Sequence, residues 1–199
     1  MGGVGLIFSW EEFATFFGEW RSRKRSGVGL LWEGALNRVG RMSREKIQTV
    51  EEIVGYRDRL AAKGGRMVLT NGCFDLLHVG HVRYLEAARG LGDGLVVAVN
   101  GDASVRALKG PTRPIHGEED RAEVLAGLGC VDGVVLFSTE RVTALIWAIR
   151  PQIYAKGGDY TVETLDPEER AALVGVGAEI CFLPLVPGKS TTGTIGRMK

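Results

Sequence analysis

Between residues 70 and 81 the chain reads TNGCFDLLHVGH, immediately after the short apolar run at 67–69. We expect Gly72 to allow a sharp turn here, because it has no Cβ. His78 and His81 are three residues apart, so they share one face in the first turn of a helix. The N–H groups at such a helix start attract anions, and imidazoles can donate hydrogen bonds to phosphate oxygens. A single histidine is more often a buried structural residue, but this pair in this context predicts a phosphate site.

From about residue 47 the chain alternates between apolar runs and helical patterns. Thr49 and Glu52 form a capping-box pattern that opens the first helix. Strands are predicted at 67–69, 95–99, 134–137, 152–155 and 179–183, and the helices between them at about 79–90, 118–128, 140–149 and 167–175. This alternation predicts an α/β fold, here a Rossmann-like five-stranded parallel sheet with helices on both faces. Such sheets bind ligands beyond the carboxyl ends of their strands.

Composition and charge exclude several classes of protein. The chain has 199 residues, of which 45% are hydrophobic and 25% charged, as in a globular protein. Its net charge of +1 argues against nucleic-acid binding, and no apolar run is long enough for stable membrane insertion. The spacings of Cys73, Cys130 and Cys181 fit neither a disulfide framework nor a zinc site. They favour a reducing compartment, so we predict a cytoplasmic protein.

Basic residues follow the second predicted strand. Lys109 and Arg113 flank a proline-containing loop that can clamp phosphates at the ligand-binding edge of the sheet. A solvated surface loop is the alternative interpretation of the same residues. From the residues alone, both interpretations of this loop stay open.

Two further segments follow the last two predicted strands. The run KGGDY at 156–160 contains glycines that let a ligand approach the backbone, and its Asp159 can bind a ribose hydroxyl or cap the next turn. After the fifth strand, Ser190–Thr192 place hydroxyl and N–H groups at a helix start, which suits the phosphate groups of a ligand. The neighbouring Gly-Lys-Ser is not a P-loop, because Leu183 occupies the position of its first glycine.

The 70–81 stretch resembles the HxGH signature of the nucleotidylyltransferase superfamily, in the cytidylyltransferase-like branch whose motif reads G-x-F-D-x-x-H-x-G-H. Together with the three later segments, it resembles the adenylyltransferase domains that make ADP-heptose, over about residues 43–197. The KGGDY run is similar to the heptose branch in particular, whereas cytidylyltransferases tend to carry M-G-x-D. The resemblance implies a nucleotidyltransferase activity.

The resemblance also implies roles for individual residues. We expect the catalytic residues to be His78, His81 and Lys109. We expect the nucleotide to contact Gly72, Cys73, Phe74, His78, His81, Gly157, Asp159, Ser190, Thr191 and Thr192. We expect the sugar phosphate to contact Asp75, Lys109, Arg113 and Arg121. Arg121 has a helix salt bridge as its alternative role. Cys73 is interpreted as a small residue near the nucleotide, because no base can be assigned to its thiol.

The implied reaction is the transfer of AMP from ATP to D-glycero-β-D-manno-heptose 1-phosphate, which gives ADP-heptose and diphosphate. An oxygen of the sugar phosphate would attack the α-phosphorus in line, with no covalent enzyme intermediate. Mg²⁺ is expected to be held mainly by ATP phosphates and water, so no protein metal ligand is assigned. The expected partners are ATP, the heptose 1-phosphate, a separate heptose 7-phosphate kinase that supplies it, and a second copy of the chain in a homodimer.

Three other functions stay open on the sequence alone. The nearest is a cytidylyltransferase that acts on glycerol 3-phosphate or a similar phosphate ester. Another is a nucleotide-binding module without catalysis, although the intact histidine pair and Ser190–Thr192 argue against it. The third is a membrane-recruited scaffold, suggested by aromatic residues at helical spacing between 10 and 20 and by the basic run at 21–25.

The first part of the chain lacks the regular alternation of the rest. We interpret residues 1–42 as a poorly ordered N-terminal extension, because chain termini are loose unless they are tied down. We interpret residues 43–199 as the nucleotidyltransferase domain.

Overall fold

The computed structural model describes residues 43–158, 160–184, 188 and 190–197. The predicted N-terminal extension over residues 1–42 lies outside the described residues, as does Asp159, so both stay predictions. The described elements all belong to one compact unit, which spans Arg41–Lys199. None of the described helices has the length and apolar character that crossing a membrane requires.

In the described residues, strands and helices alternate after a 3₁₀ turn at Ser43–Lys46. The helices are α1 (Val50–Ala61), α2 (Val79–Arg89), α3 (Asp102–Lys109), α4 (Glu118–Ala126), α5 (Thr143–Ile149), α6 (Pro167–Val176) and α7 (Thr191–Arg197). The strands are β1 (Met67–Gly72), β2 (Gly94–Asn100), β3 (Gly133–Phe137), β4 (Ile153–Gly157) and β5 (Glu179–Leu183). The predicted capping box of Thr49 and Glu52 is present at the start of α1.

The five strands form one parallel sheet in the order β3-β2-β1-β4-β5. From β1 the chain moves outward through β2 to β3, and it then returns to place β4 on the other side of β1. The strand order therefore reverses between β1 and β4, where sheets of this kind open a ligand-binding crevice at their carboxyl ends. The arrangement confirms the predicted Rossmann-like α/β fold.

Helices cover both faces of the sheet. On one face, α1, α5 and α6 contribute Ile53, Ile146 and Leu173 to a cluster of buried apolar side chains. On the other face, α2 and α4 contribute Leu85 and Leu125 to a second cluster. Burial on both faces explains why the strands appear in the sequence as continuous apolar runs and not as alternating patterns.

The structure adds one helix to the predicted elements, and it extends two of the strands to glycines that were predicted in loops. Residues 102–109, for which no element was predicted, form α3. This helix buries only Ser104 and Val105, so it has no long apolar stripe that periodicity could reveal. Strands β1 and β4 extend to Gly72 and Gly157, so both glycines lie at strand ends and not in free loops.

Candidate active site

A cleft of about 790 Å³ opens at the carboxyl ends of β1 and β4, where the strand order reverses. The structure brings most of the predicted site residues to this cleft. They are Gly72, Cys73, Phe74, Asp75, His78, His81, Lys109, Arg113, Gly157, Ser190, Thr191 and Thr192. Asp159 lies outside the described residues, and Arg121 does not line the cleft. A cleft of this size at this place can hold two substrates together.

The two histidines form an unusual cap at the start of α2. Nδ1 of His78 accepts a hydrogen bond from the N–H of Gly80 (3.1 Å), and Nδ1 of His81 accepts one from the N–H of His78 (3.3 Å). Their rings stack with centroids 4.0 Å apart. Because each Nδ1 is an acceptor, a neutral ring carries its proton on Nε2. Each imidazole therefore has an Nε2–H donor that its backbone contact does not use.

The environment of His81 keeps its ring neutral. Burial and the neighbouring His78 lower the pKa of His81 to about 4. The edge of the His81 ring also packs against Phe74, with 5.6 Å between ring centroids. At neutral pH this histidine is a hydrogen-bond donor through Nε2–H and not a cationic acid.

The turn after β1 occurs at a different residue from the one predicted. Phe74, and not Gly72, has the left-handed backbone conformation, with φ of 45°. A Cβ on Gly72 would lie 3.0 Å from the Phe74 ring, so the glycine is needed for close packing. The left-handed turn therefore lies at Phe74, whereas the missing Cβ of Gly72, on which the prediction rested, leaves room for the Phe74 ring.

Asp75 holds the loop that carries Arg113. Its buried carboxylate pairs with the Arg113 guanidinium, and its Oδ1 accepts the N–H groups of Ile115 (2.7 Å) and His116 (3.2 Å). Burial alone would raise the pKa of Asp75, but the hydrogen bonds from Arg113 and the two N–H groups outweigh it and lower the pKa. Asp75 therefore stays ionised and positions Arg113 at the edge of the cleft.

Arg121 is buried and braces three chain segments. Its guanidinium, which is 0% exposed, donates to the carbonyl oxygens of His116 (3.0 Å) and Cys73 (2.5 Å) and to Oδ1 of Asp102 (2.8 Å). The structure thus places Arg121 behind the cleft wall and not in the predicted position for contact with the sugar phosphate, and its salt bridge joins α4 to Asp102 of α3 and does not lie within one helix. We call Asp75, Asp102, Arg113 and Arg121 the arginine frame.

Two predicted segments reach the cleft from outside the frame. Lys109 lines the cleft as predicted. It is the last residue of α3, so it belongs to a helix end and not to the predicted loop. Ser190 accepts the N–H of Gly193 on its Oγ (3.0 Å), and Thr191 donates from Oγ1 to the Leu76 carbonyl (3.0 Å). The second bond ties the start of α7 to the connection between β1 and α2.

The Cys73 thiol is not poised as a nucleophile. Burial raises its pKa, although the positive charges of Lys109, Arg121 and Arg113 oppose that effect. A thiol that stays protonated at neutral pH reacts slowly. The interpretation of Cys73 as a small residue beside the ligand therefore fits its surroundings.

Sequence reasoning missed a second polar cluster on the β4 side of the cleft. We call Asn71, Tyr154, Lys156 and Glu169 the lysine network. Lys156 Nζ lies 3.1 Å from Asn71 Oδ1, 3.4 Å from the Tyr154 hydroxyl and 3.6 Å from Glu169 Oε2. Polar residues two apart on β4 share a sheet face, which is a detectable signal for Tyr154 and Lys156. Glu169 lies on α6 and gives no such signal.

Comparisons with known proteins agree with this geometry. A family model described as cytidylyltransferase-like matches residues 69–194. The bifunctional protein HldE of Pelobacter propionicus is 48% identical over 156 residues, which are 78% of this chain and 32% of that protein. HldE of Trichlorobacter lovleyi is 50% identical over 137 residues, 69% of this chain and 28% of that protein. The chain therefore spans about a third of the length of these relatives.

A solved structure shows a similar fold. It is the lipopolysaccharide core biosynthesis protein from Thermoplasma volcanium, with 28% sequence identity and a TM-score of 0.52. The match covers 62% of this chain and 98% of that one. The family model itself covers more than half of the chain and includes every residue that lines the cleft. The chain therefore belongs to the cytidylyltransferase-like family of nucleotidyltransferases.

Proposed function

We propose that the protein transfers AMP from ATP to D-glycero-β-D-manno-heptose 1-phosphate and releases diphosphate. The observation that carries this proposal is the pair of Nε2–H donors of His78 and His81 at a helix start in the cleft. The choice of substrates is supported by the resemblance to ADP-heptose-forming domains and by the similarity to HldE proteins and a lipopolysaccharide core biosynthesis protein.

The reaction needs no general base. A phosphate oxygen of the heptose 1-phosphate attacks the α-phosphorus of ATP, and the bond from that phosphorus to the bridging β-phosphate oxygen breaks. The attacking oxygen of a phosphate dianion carries no proton, so positioning and charge stabilisation are the main tasks of the protein. His78 and His81 donate to the α-phosphate oxygens as negative charge develops on them.

The remaining cleft residues hold the two ends of this reaction. Lys109 and Arg113 bind the phosphate of the sugar, and Asp75 orients Arg113 for that contact. Ser190–Thr192, tied to the histidine connection through Leu76, bind the leaving diphosphate. Asp159 binds the ribose. These roles bring the attacking oxygen and the α-phosphorus together and so reduce the entropic part of the barrier.

Magnesium enters the cleft with ATP in this proposal. Within the residues that the structure describes, no three His, Cys, Asp or Glu side chains come together as a metal-ligand set. The ion would depend on phosphate oxygens and water for its octahedral coordination. When bound, it neutralises part of the charge on the triphosphate.

The cellular setting follows from the same substrates. We propose that a separate heptose 7-phosphate kinase supplies the substrate. The free thiols of Cys73, Cys130 and Cys181 support the proposal of a reducing, cytoplasmic setting. We also propose that two copies of the chain form a homodimer, which size-exclusion chromatography with light scattering would test.

Diphosphate release tests the proposal directly. Purified protein is given ATP and Mg²⁺ with and without D-glycero-β-D-manno-heptose 1-phosphate, and CTP with glycerol 3-phosphate in parallel. We expect release only when ATP and the heptose phosphate are both present, with ADP-heptose identified by mass spectrometry. Release only with CTP would assign the protein to the cytidylyltransferases, and release with neither pair would favour a binding module.

A further inference from the structure

Asn71, the residue before Gly72 on β1, lines the cleft with its amide held in one orientation. Its Oδ1 accepts two hydrogen bonds, from the Tyr154 hydroxyl (2.6 Å) and from Lys156 Nζ (3.1 Å). An amide has its oxygen on one side and its NH₂ group on the other. With Oδ1 turned into the lysine network, Nδ2 is turned away from it.

Nδ2 of Asn71 is a donor that the described protein residues do not use. It takes part in neither of the two side-chain hydrogen bonds of Asn71, which both use Oδ1 as acceptor. Asn71 is only partly buried and lines the cleft, so its side chain is not sealed in the protein interior. A polar atom that faces a ligand cleft without a protein partner is available to a ligand.

Lys156 lines the cleft, and its charged group is held by the lysine network. Its side chain is 14% exposed, and its three N–H donors face three acceptors, on Asn71, Tyr154 and Glu169. The Glu169 carboxylate, 8% exposed, balances its charge. Burial is the main cause that holds the pKa of Tyr154 well above its usual value, and the negative charge of Glu169 adds to it. The phenol therefore keeps its proton and stays a hydrogen-bond donor.

We propose that Asn71 is a ligand-binding residue that donates a hydrogen bond from Nδ2 to an oxygen of the phosphorylated substrate in the cleft, and that Lys156 is a positioning residue that holds the amide in this orientation. The inference rests on the proposed function, because it takes the nucleotide and the sugar phosphate as the molecules that occupy the cleft. Both carry oxygen acceptors, and the experiment separates them.

Asn71→Asp removes the donor and keeps the acceptor, and the negative charge that it adds to the cleft is matched by the Asn100→Asp control. The aspartate keeps an oxygen for Tyr154 and Lys156 but replaces Nδ2–H₂ with a second acceptor. Binding of a non-hydrolysable ATP analogue with Mg²⁺, and separately of the heptose 1-phosphate, is measured by calorimetry. We expect the dissociation constant of one ligand to rise about 10-fold or more, and that ligand carries the oxygen. Dissociation constants within about 3-fold of the parent for both ligands would overturn the proposal.

Asn100→Asp is the matched control. Asn100 also lines the cleft, but its Nδ2 donates inside the protein, to Ser104 Oγ (2.8 Å). We expect this variant to lower the melting temperature more than Asn71→Asp does, while it weakens ligand binding less. Equal effects of the two variants on ligand binding would contradict a specific role for Asn71.

A double-variant cycle tests the positioning role of Lys156. Lys156→Met should weaken the same ligand that Asn71→Asp weakens, by a smaller factor. In an Asn71→Leu background, where no amide is left to orient, Lys156→Met should have no further effect on the dissociation constant. A structural role for Lys156 would give the same factor in both backgrounds and would overturn this part of the proposal.

The same samples separate this inference from the proposed function. A parent protein that binds the ATP analogue but forms no ADP-heptose would contradict the proposed function, while the ratio of dissociation constants would still test Asn71. If the parent forms ADP-heptose but the Asn71→Asp variant binds both ligands as tightly as the parent does, the proposed function would stand and the inference about Asn71 would be contradicted. A parent that binds neither ligand would overturn both.

Discussion

Two polar clusters flank the histidine pair, and they use different acceptors. In the arginine frame, Arg121 donates to two backbone carbonyls and one carboxylate, and Asp75 accepts from two backbone N–H groups. In the lysine network, every acceptor of Lys156 belongs to a side chain. The frame therefore holds the path of the backbone around the cleft, whereas the network orients side chains within it.

This difference predicts two kinds of variant. Bonds to backbone groups resist unfolding of the loops that they join, so variants of the buried frame should change stability. Bonds between side chains of the cleft wall set the direction of a donor, so variants of the network should change ligand binding. Arg113 belongs to the frame but reaches the cleft, and it should show both effects.

Arg121→Met should produce the largest loss. It leaves Asp102 and two carbonyl oxygens without their buried partner, which we expect to lower the free energy of unfolding by about 3 kcal/mol. Urea denaturation measures the loss. Arg44→Met is the matched control, because Arg44 and Glu123 form an exposed pair with side chains 82% and 41% exposed. That variant should lose less than about 1 kcal/mol, and equal losses would contradict the structural role of Arg121.

His78→Ala should lower kcat by about 100-fold, the usual value of one donor to a developing oxyanion. It also removes the acceptor for the Gly80 N–H, so the helix should lose about 1 kcal/mol of stability. His78→Asn separates the two roles, because Asn caps helices well but has no Nε2–H. We expect Asn to restore the melting temperature and not kcat. Recovery of kcat in the Asn variant would refute the catalytic role of the imidazole.

Arg113→Lys sharpens the contrast within the frame. Lysine keeps the charge but loses the planar fork that binds phosphate and carboxylate together. We expect KM for the sugar phosphate to rise about 10-fold, with a smaller loss of stability than Arg121→Met causes. Steady-state kinetics with each substrate varied in turn measures the change. A lower kcat with unchanged KM would place Arg113 outside the substrate site.

Asp75→Asn should give the smallest effect, and one that depends on pH. The lowered folded-state pKa of Asp75 means that its contribution to stability is complete above the ordinary value of 3.8 and is lost as pH falls through the folded pKa. Denaturation at several pH values should show the variant less stable than the parent by about 1 kcal/mol near pH 6, with the gap closing below about pH 4. A gap that stays constant at low pH would exclude the ionised pair as its source.

Much of the fold could be predicted, because the buried strands are short apolar runs that the sequence shows directly. The histidine site could be predicted for a related reason, since the strand, turn and helix that build it are adjacent between Met67 and Arg89. Lys109 was correctly expected at the cleft, although its helix was not recognised. These successes all depend on local order along the chain.

The frame and the network could not be predicted, because their partners are far apart in the sequence. Asp75 and Arg113 are 38 residues apart, and Asn71 and Lys156 are 85 apart. Arg121 illustrates the difficulty most clearly. A basic residue near the ligand-binding edge predicts phosphate binding, and only the packing of three segments around it shows that its donors are already used.

The histidine cap has a consequence for inactivation by acid. Nδ1 of His81 can accept the N–H of His78 only while it is unprotonated, and protonation of His81 requires a pH near 4. Acid of that strength would release the His78 N–H at the start of α2 at the same moment that it alters the His81 ring. One acid transition would therefore affect both a cap hydrogen bond and a catalytic donor, and return to neutral pH should restore them together.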